Sequence, residues 1–164
     1  MTDTSQPNSP TQDSAEIDAA LLADVKDAVE ERDTRWLART LQRMHPADAA
    51  DLLEQLPYDA FEEAVELLGG ELPPDILIEL RDTYREGAVD MLPDHAVANA
   101  LDELDSDDAT TILDDLDDDR RERILEDLAP IDRAQLERGL AYEEETAGRL
   151  MQTEFVALPE FWTV

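Results

Sequence analysis

From His45 to Leu128 the chain repeats every twelve residues. HPADAADLLEQL, PYDAFEEAVELL, GGELPPDILIEL, RDTYREGAVDML, PDHAVANALDEL, DSDDATTILDDL and DDDRRERILEDL follow one another without insertion. The twelfth position is leucine in all seven copies: Leu56, Leu68, Leu80, Leu92, Leu104, Leu116 and Leu128. The ninth holds Leu53, Val65, Leu77, Val89, Leu101, Leu113 and Leu125, and the eighth is always Ala, Leu or Ile. Positions 8, 9 and 12 are spaced i, i+1, i+4, one face of an α-helix. An uninterrupted helix turns about 100° per residue, so each copy carries that face about 120° past three full turns. Three copies would spread apolar side chains round the whole rod and leave no single face to bury. Nor does twelve match the heptad or eleven-residue periods of supercoils. The helix must break once per copy.

The residues at positions 1 to 3 agree. They include His45-Pro46, Pro57-Tyr58-Asp59, Gly69-Gly70, Pro93-Asp94, Asp105-Ser106-Asp107 and Asp117-Asp118-Asp119. Proline in a first turn and Asp or Ser at an N-cap are start signals. Each copy therefore reads as a helix of two to three turns closed by a tight turn, too short to persist alone. Such helices must stack, and the expected fold is an all-α superhelical solenoid of about ten short helices with a short non-helical C-terminal tail. Copy three departs from the pattern: Gly69 to Pro74 reads as a longer loop, with Asp75 entering the next helix.

Outside the repeat, residues 1–13 are polar and proline-containing and read as a disordered tail. Ser14 is placed to cap a helix with Leu21, Leu22, Val25 and Val29 on one face. A second helix runs through Trp36, Leu37, Leu41 and Met44, and a last one through Ile131, Leu136 and Leu140. These define a helical domain over 14–142. FVAL at 155–158, with Pro159 and the terminal WTV, reads as strand and turn outside the solenoid.

The charge narrows the function. There are 43 acidic and 13 basic residues, a formal net charge of −30, which disfavours nucleic acid and anionic membrane surfaces. Cations and basic proteins remain as partners. Lys26 is the single lysine beside twelve arginines, a balance that points to adaptation to high cytosolic salt. No cysteine is present, so disulfides and thiolate-bound metals are excluded. No stretch approaches the roughly 18 apolar residues of a membrane span, and the first residues lack the regions of a signal peptide, so the segment is expected to be soluble and cytosolic.

Enzymatic signals are weak. His45 and His95 both sit at helix starts and read as capping or surface residues. There is no phosphate loop, nucleophile elbow or metalloprotease motif, and carboxylates are too numerous for one pair to stand out. No catalysis and no organic cofactor are expected. A hard divalent cation fits better, since Mg2+ takes oxygen ligands, keeps several waters and needs few carboxylates. Asp105, Asp107 and Asp108 at one break and Asp117 to Asp119 at the next supply such groups. The plainer reading is that these acids satisfy helix N-termini without any metal.

HPADAADLLEQL near the start of the solenoid, followed by AYEEETAGRLMQTEFVAL, resembles the cytosolic N-terminal region of MgtE-type magnesium transporters and channels. Tyr142, Glu143, Ala147-Gly148, Leu150-Met151, Glu154-Phe155-Val156 and Thr163-Val164 are similar to that family's passage into its first CBS domain. The resemblance covers roughly residues 33 to 164. It implies that 143–164 form a linker and the beginning of a CBS domain. The remaining CBS and transmembrane domains would be the partners of this segment, which would lie on the cytoplasmic face of a membrane protein without itself entering the bilayer. It further implies a homodimer for the whole transporter and a monomer for the isolated domain. Mg2+ held between N and CBS domains would favour a closed pore. Carried over by position, the N-domain ligands are Asp75 and Asp107; a further acidic position falls on Thr111, for which Asp108 stands adjacent. Without its partner surface the segment should hold at most half of each ion site and bind Mg2+ weakly. Residues from about 150 onward would lack the core they pack into and be disordered or borrow a partner surface. The helical part alone is also similar to the middle region of the flagellar motor switch protein FliG, which leaves open a free-standing acidic scaffold for a basic protein.

Overall fold

A computed structural model of the chain describes residues 19–143, 146–149, 151 and 152. Ten α-helices follow one another: α1 (Ala19–Glu30), α2 (Thr34–Leu41), α3 (Pro46–Glu54), α4 (Tyr58–Leu68), α5 (Pro74–Glu79), α6 (Asp82–Met91), α7 (Asp94–Glu103), α8 (Ser106–Asp114), α9 (Asp118–Asp127) and α10 (Pro130–Leu140). A 3-10 turn at Gly69–Glu71 precedes α5. No strand occurs among the described residues, and no helix there is long and apolar enough to cross a membrane. The expected Ser14 cap, the tail at 1–13 and the FVAL strand lie outside the described residues.

The repeat positions become the core. Every residue at positions 8 and 9 is buried, from Leu52 and Leu53 to Ile124 and Leu125. Six of the seven position-12 leucines are buried as well, and Leu104 is partly buried against the same core. In the later copies the break is a two-residue extended corner. Leu80, Leu92, Leu104 and Leu128 leave the helix with ψ of 143°, 140°, 154° and 157°. The following residue, Arg81, Pro93, Asp105 or Ala129, is already the N-cap of the next helix. The leucine therefore closes one helix and anchors the corner at once. Copy three does carry the longer connection: Gly69 takes φ of 49°, which a side chain disfavours, and starts the 3-10 turn.

Successive helices alternate between two layers, so each stacks on the next but one. α3 packs on α5, α4 on α6, α5 on α7, α7 on α9 and α8 on α10. At the N-terminal end, α1 and α2 pack on α4, burying Val25, Val29, Leu37 and Leu41. At the other end Leu136 is buried, while Ile131 of α10 is 75% exposed. Met44 falls beyond the end of α2, yet packs partly on the core.

Arginines link the layers. Arg120, 8% exposed, donates from Nη1 to Val89 O at 2.9 Å and from Nη2 to Leu92 O, at the end of α6, and from Nε to Asp94 Oδ1 at 2.8 Å. It thus serves carbonyls left over at one helix end and a carboxylate at the next helix start. Arg85 pairs with Asp115 at 2.6 Å, joining α6 to the end of α8. Glu54 accepts from the Arg81 backbone N at 2.6 Å and pairs with its guanidinium, capping α6 from α3.

Replacing Arg120 by Met should lower unfolding free energy in urea by about 3 kcal/mol, because several buried acceptors lose their donor. In the same assay Leu113→Ala should cost about 3 kcal/mol and Leu104→Ala about 1 kcal/mol, following the difference in burial.

Candidate functional site

The alternating stack brings α5 into contact with α8. Asp75 opens α5 immediately after Pro74, and Glu79 is its last residue; both are exposed. Asp107 and Asp108 occupy the first turn of α8, behind the N-cap residue Asp105. All three residues anticipated as ligands, Asp75, Asp107 and Asp108, therefore belong to one cluster, although more than thirty positions separate Asp75 from Asp108.

Asp108 occupies position 4 of its copy, where copies three and five bury Leu72 and Ala96. Burial pushes its carboxyl above the usual range, and the charges of Asp107, Asp105, Asp75 and Glu79 push it further. Asp107 Oδ1 is buried without a hydrogen-bond partner. Asp105 holds the N-cap position but makes no cap bond with its side chain; its Oδ2 instead accepts from Gln152 Nε2 at 2.9 Å. The simple expectation that acids at the breaks cap helices is met at Asp33, which accepts from Trp36 N, and at Asp117, which accepts from Arg120 N. It is not met at Asp105. Asp118 and Asp119 lie exposed in the first turn of α9, where Asp118 pairs with Arg121. The two histidines behave as read: His45 caps α3 through Nδ1, and His95 is exposed on α7.

The donor set is purely carboxylate oxygen, as a hard divalent ion requires. Among the described residues no three His, Asp or Glu side chains converge closely enough to enclose a metal. Such a set fits one side of a site at most, where it would offer one or two oxygens to an ion that keeps several waters.

Arg149 and Gln152 escaped the sequence reading. Arg149 is 9% exposed, donates to Gly139 O at 3.0 Å and pairs with Asp114 of α8. The only hint was a rare basic residue within the stretch that carries the family resemblance. Of the stretch from about residue 150 that is expected to be disordered or to borrow a partner surface, Met151 is exposed and Gln152 bonds Asp105. The remainder of that expectation lies outside the described residues.

The family model for the MgtE intracellular N domain matches residues 44–145. Among solved structures, the chain is similar to the crystal structure of the cytosolic domain of the Mg2+ channel MgtE in complex with ATP. The TM-score is 0.69 with 29% identity, covering 84% of this chain and 56% of that one. The soluble part of a magnesium transporter shares the fold at a TM-score of 0.68 and 20% identity, over 84% of this chain and 55% of that one. The chain thus spans little more than half the length of either. No curated protein matches it.

The raised Asp108 carboxyl sets a sign. The folded state holds this proton more tightly than the unfolded chain, so stability falls as pH rises from the ordinary value of 3.8 through the raised one. Above that window Asp108 is a net burden. Asp108→Asn should raise Tm at pH 7 in low salt by about 2 °C, and the gain should vanish as pH falls through the window.

Proposed function

Since the chain belongs to the family of MgtE intracellular N domains, we propose that it is the magnesium-sensing, gating module of an MgtE-type magnesium transporter. The reading is supported by the carboxylates of α5 and α8 that act together on Asp108: the charges of Asp107, Asp105, Asp75 and Glu79 all push its carboxyl up. In this reading Asp75, Asp107 and Asp108 supply the N-domain half of a Mg2+ site. Asp107 Oδ1 is the oxygen most in need of a cation. A following CBS domain offers the other half, and 143–164 make the connection to it.

An ion that binds only the compact arrangement shifts the population toward it by its differential affinity. When Mg2+ falls, the carboxylates on α5 and α8 repel the acidic or dipolar groups that the ion had bridged, and the domain separates. The pore, housed in transmembrane domains beyond this segment, then opens more readily. No residue here is assigned a catalytic role; the family is one of transporter domains. The helical domain is taken as 14–142, and the assembled transporter as a homodimer.

A second reading, an acidic scaffold for a basic protein, draws on the exposed acids Asp59, Glu62 and Glu66 along α4. It predicts binding that weakens with monovalent salt and ignores Mg2+.

The two separate in one experiment. In a protein that carries the following domains, Asp75→Asn with Asp107→Asn should abolish Mg2+-dependent compaction seen by small-angle scattering, at matched ionic strength. The isolated chain should bind Mg2+ only weakly, with Kd in about the millimolar range typical of sites with few protein ligands. Unchanged compaction in the double variant would remove these residues from the site.

A further inference from the structure

The few basic residues of this acidic chain are unevenly placed. Five of the 13 fall between Lys26 and Arg43, and the next is Arg81. From Arg81 onward every arginine donates from its side chain to a carboxylate or a carbonyl. Arg32 pairs with Glu63 at 3.1 Å. Arg35, Arg39 and Arg43 are different. All three are exposed, and among the described residues none of them has an ion pair or a side-chain hydrogen bond. They stand at i, i+4 and i+8, on one face of α2.

The helix holds them in place. At its start Asp33 accepts from Trp36 N at 3.0 Å, and Leu37, Ala38 and Leu41 are buried in the core. Arg43 lies just past the last helical residue, but its amide donates to Thr40 O at 3.2 Å, so the turn carries on. The face away from the core therefore presents three guanidiniums about 6 Å apart, in a row of about 12 Å. Trp36, partly buried, stands beside the row. Local stability does not account for this arrangement. Like charges four residues apart on a helix repel. Arg35 also stands in the first turn, where the helix dipole disfavours a cation.

We infer that this face of α2 is a docking surface for a helix of another protein that carries Asp or Glu at i, i+4 and i+8. Each guanidinium takes a carboxylate through two parallel N–H donors, and the carboxylates of such a helix repeat at the same spacing as the arginines. The net charge of −30 points the chain as a whole toward cations and basic partners. At about 0.15 M salt, however, charges more than about 8 Å apart are largely screened, so a partner at α2 meets the arginines first. Length decides among anions. Duplex DNA carries a charge about every 1.7 Å, and a bilayer surface is broader still. Either would run past the row onto the exposed acids that flank α2 in the chain, Glu30 and Glu31 before it and Asp48 after it. A single helix need not. The inference does not depend on the ion-site reading.

The chain has two tryptophans, Trp36 and Trp162, so Trp162→Phe leaves Trp36 as a fluorescent probe at the row. The whole chain with that change is titrated at about 0.15 M salt with an alanine-rich helical peptide carrying Glu at i, i+4 and i+8. A second peptide of the same composition places its three Glu on different faces. The first peptide should shift Trp36 emission saturably, and the second should bind more weakly. Adding Arg35→Gln, Arg39→Gln and Arg43→Gln together should weaken the first peptide by about tenfold or more, the combined effect of three surface pairs. Circular dichroism should show the fold unchanged, because these side chains have no partners within the chain. Phosphatidylglycerol vesicles and a short DNA duplex should leave Trp36 unmoved. The inference is overturned if the spaced peptide does not shift Trp36, if both peptides bind alike, or if the triple variant binds as well as its parent. It is overturned equally if vesicles or DNA shift Trp36 more than the peptide does. A dimer in sedimentation that the triple variant abolishes would overturn it too, by assigning the row to a second copy of the chain.

Discussion

Everything in this molecule follows from the mismatch between a period of twelve and a helix of about 3.6 residues per turn. An apolar triplet at positions 8, 9 and 12 can face one core only if the helix ends within each copy. In copies three, four, five and seven it ends at the leucine of position 12, which turns into extended backbone while its side chain stays on the core. Most helices alternate between two layers and rest on the next but one. The core is therefore a continuous seam rather than a centre, and each helix depends on neighbours on both sides.

The seam was legible because burial follows directly from position: Leu53, Val65, Leu77 and Leu113 could be assigned to the core by counting. The stacking partners were not. A period gives the length of a helix and the face it buries, but a corner's direction decides whether that face meets the next helix or the next but one. The proximity of Asp75 to Asp108 depends on this choice and entered the sequence reading only through a family resemblance. The same limit hid the partners of Arg85, Arg120 and Arg149, each lying 26 to 35 residues away. Asp105 illustrates a different failure. Its residue type and position both favour a helix cap, yet a longer-range donor, Gln152, takes its carboxylate.

The arginines answer a problem that repetition creates. Copies alike at positions 8, 9 and 12 could stack out of order with little loss of apolar burial. Buried ion pairs add little stability over apolar side chains of the same volume, but leaving one member unpaired is costly. Arg120 finds the carbonyls of Val89 and Leu92 and the Asp94 carboxylate only when α9 lies on α7 beside the end of α6. Arg85 finds Asp115 only when α8 follows two places after α6. A shifted stack would strand these charges, so the pairs discriminate among registers that the leucines alone would accept. In a chain with thirty more acids than bases, nearly every arginine placed inside is available for this work only because the acids stay at the surface.

One acid does not stay there. A salt-adapted surface explains carboxylates such as Asp59 and Glu62, which face water where mobile cations screen them freely. Asp108 differs from these: it sits partly buried at a position that copies three and five fill with Leu72 and Ala96, and the charges of Asp107, Asp105, Asp75 and Glu79 act on it. Screening reaches such a group less well than an exposed one, and at neutral pH a proton is scarce. In the proposed reading, a cation that accepts few protein oxygens and supplies its own water would relieve this charge. Most of the chain's acids stand in water, whereas at this break burial and like charges act on the same carboxylate.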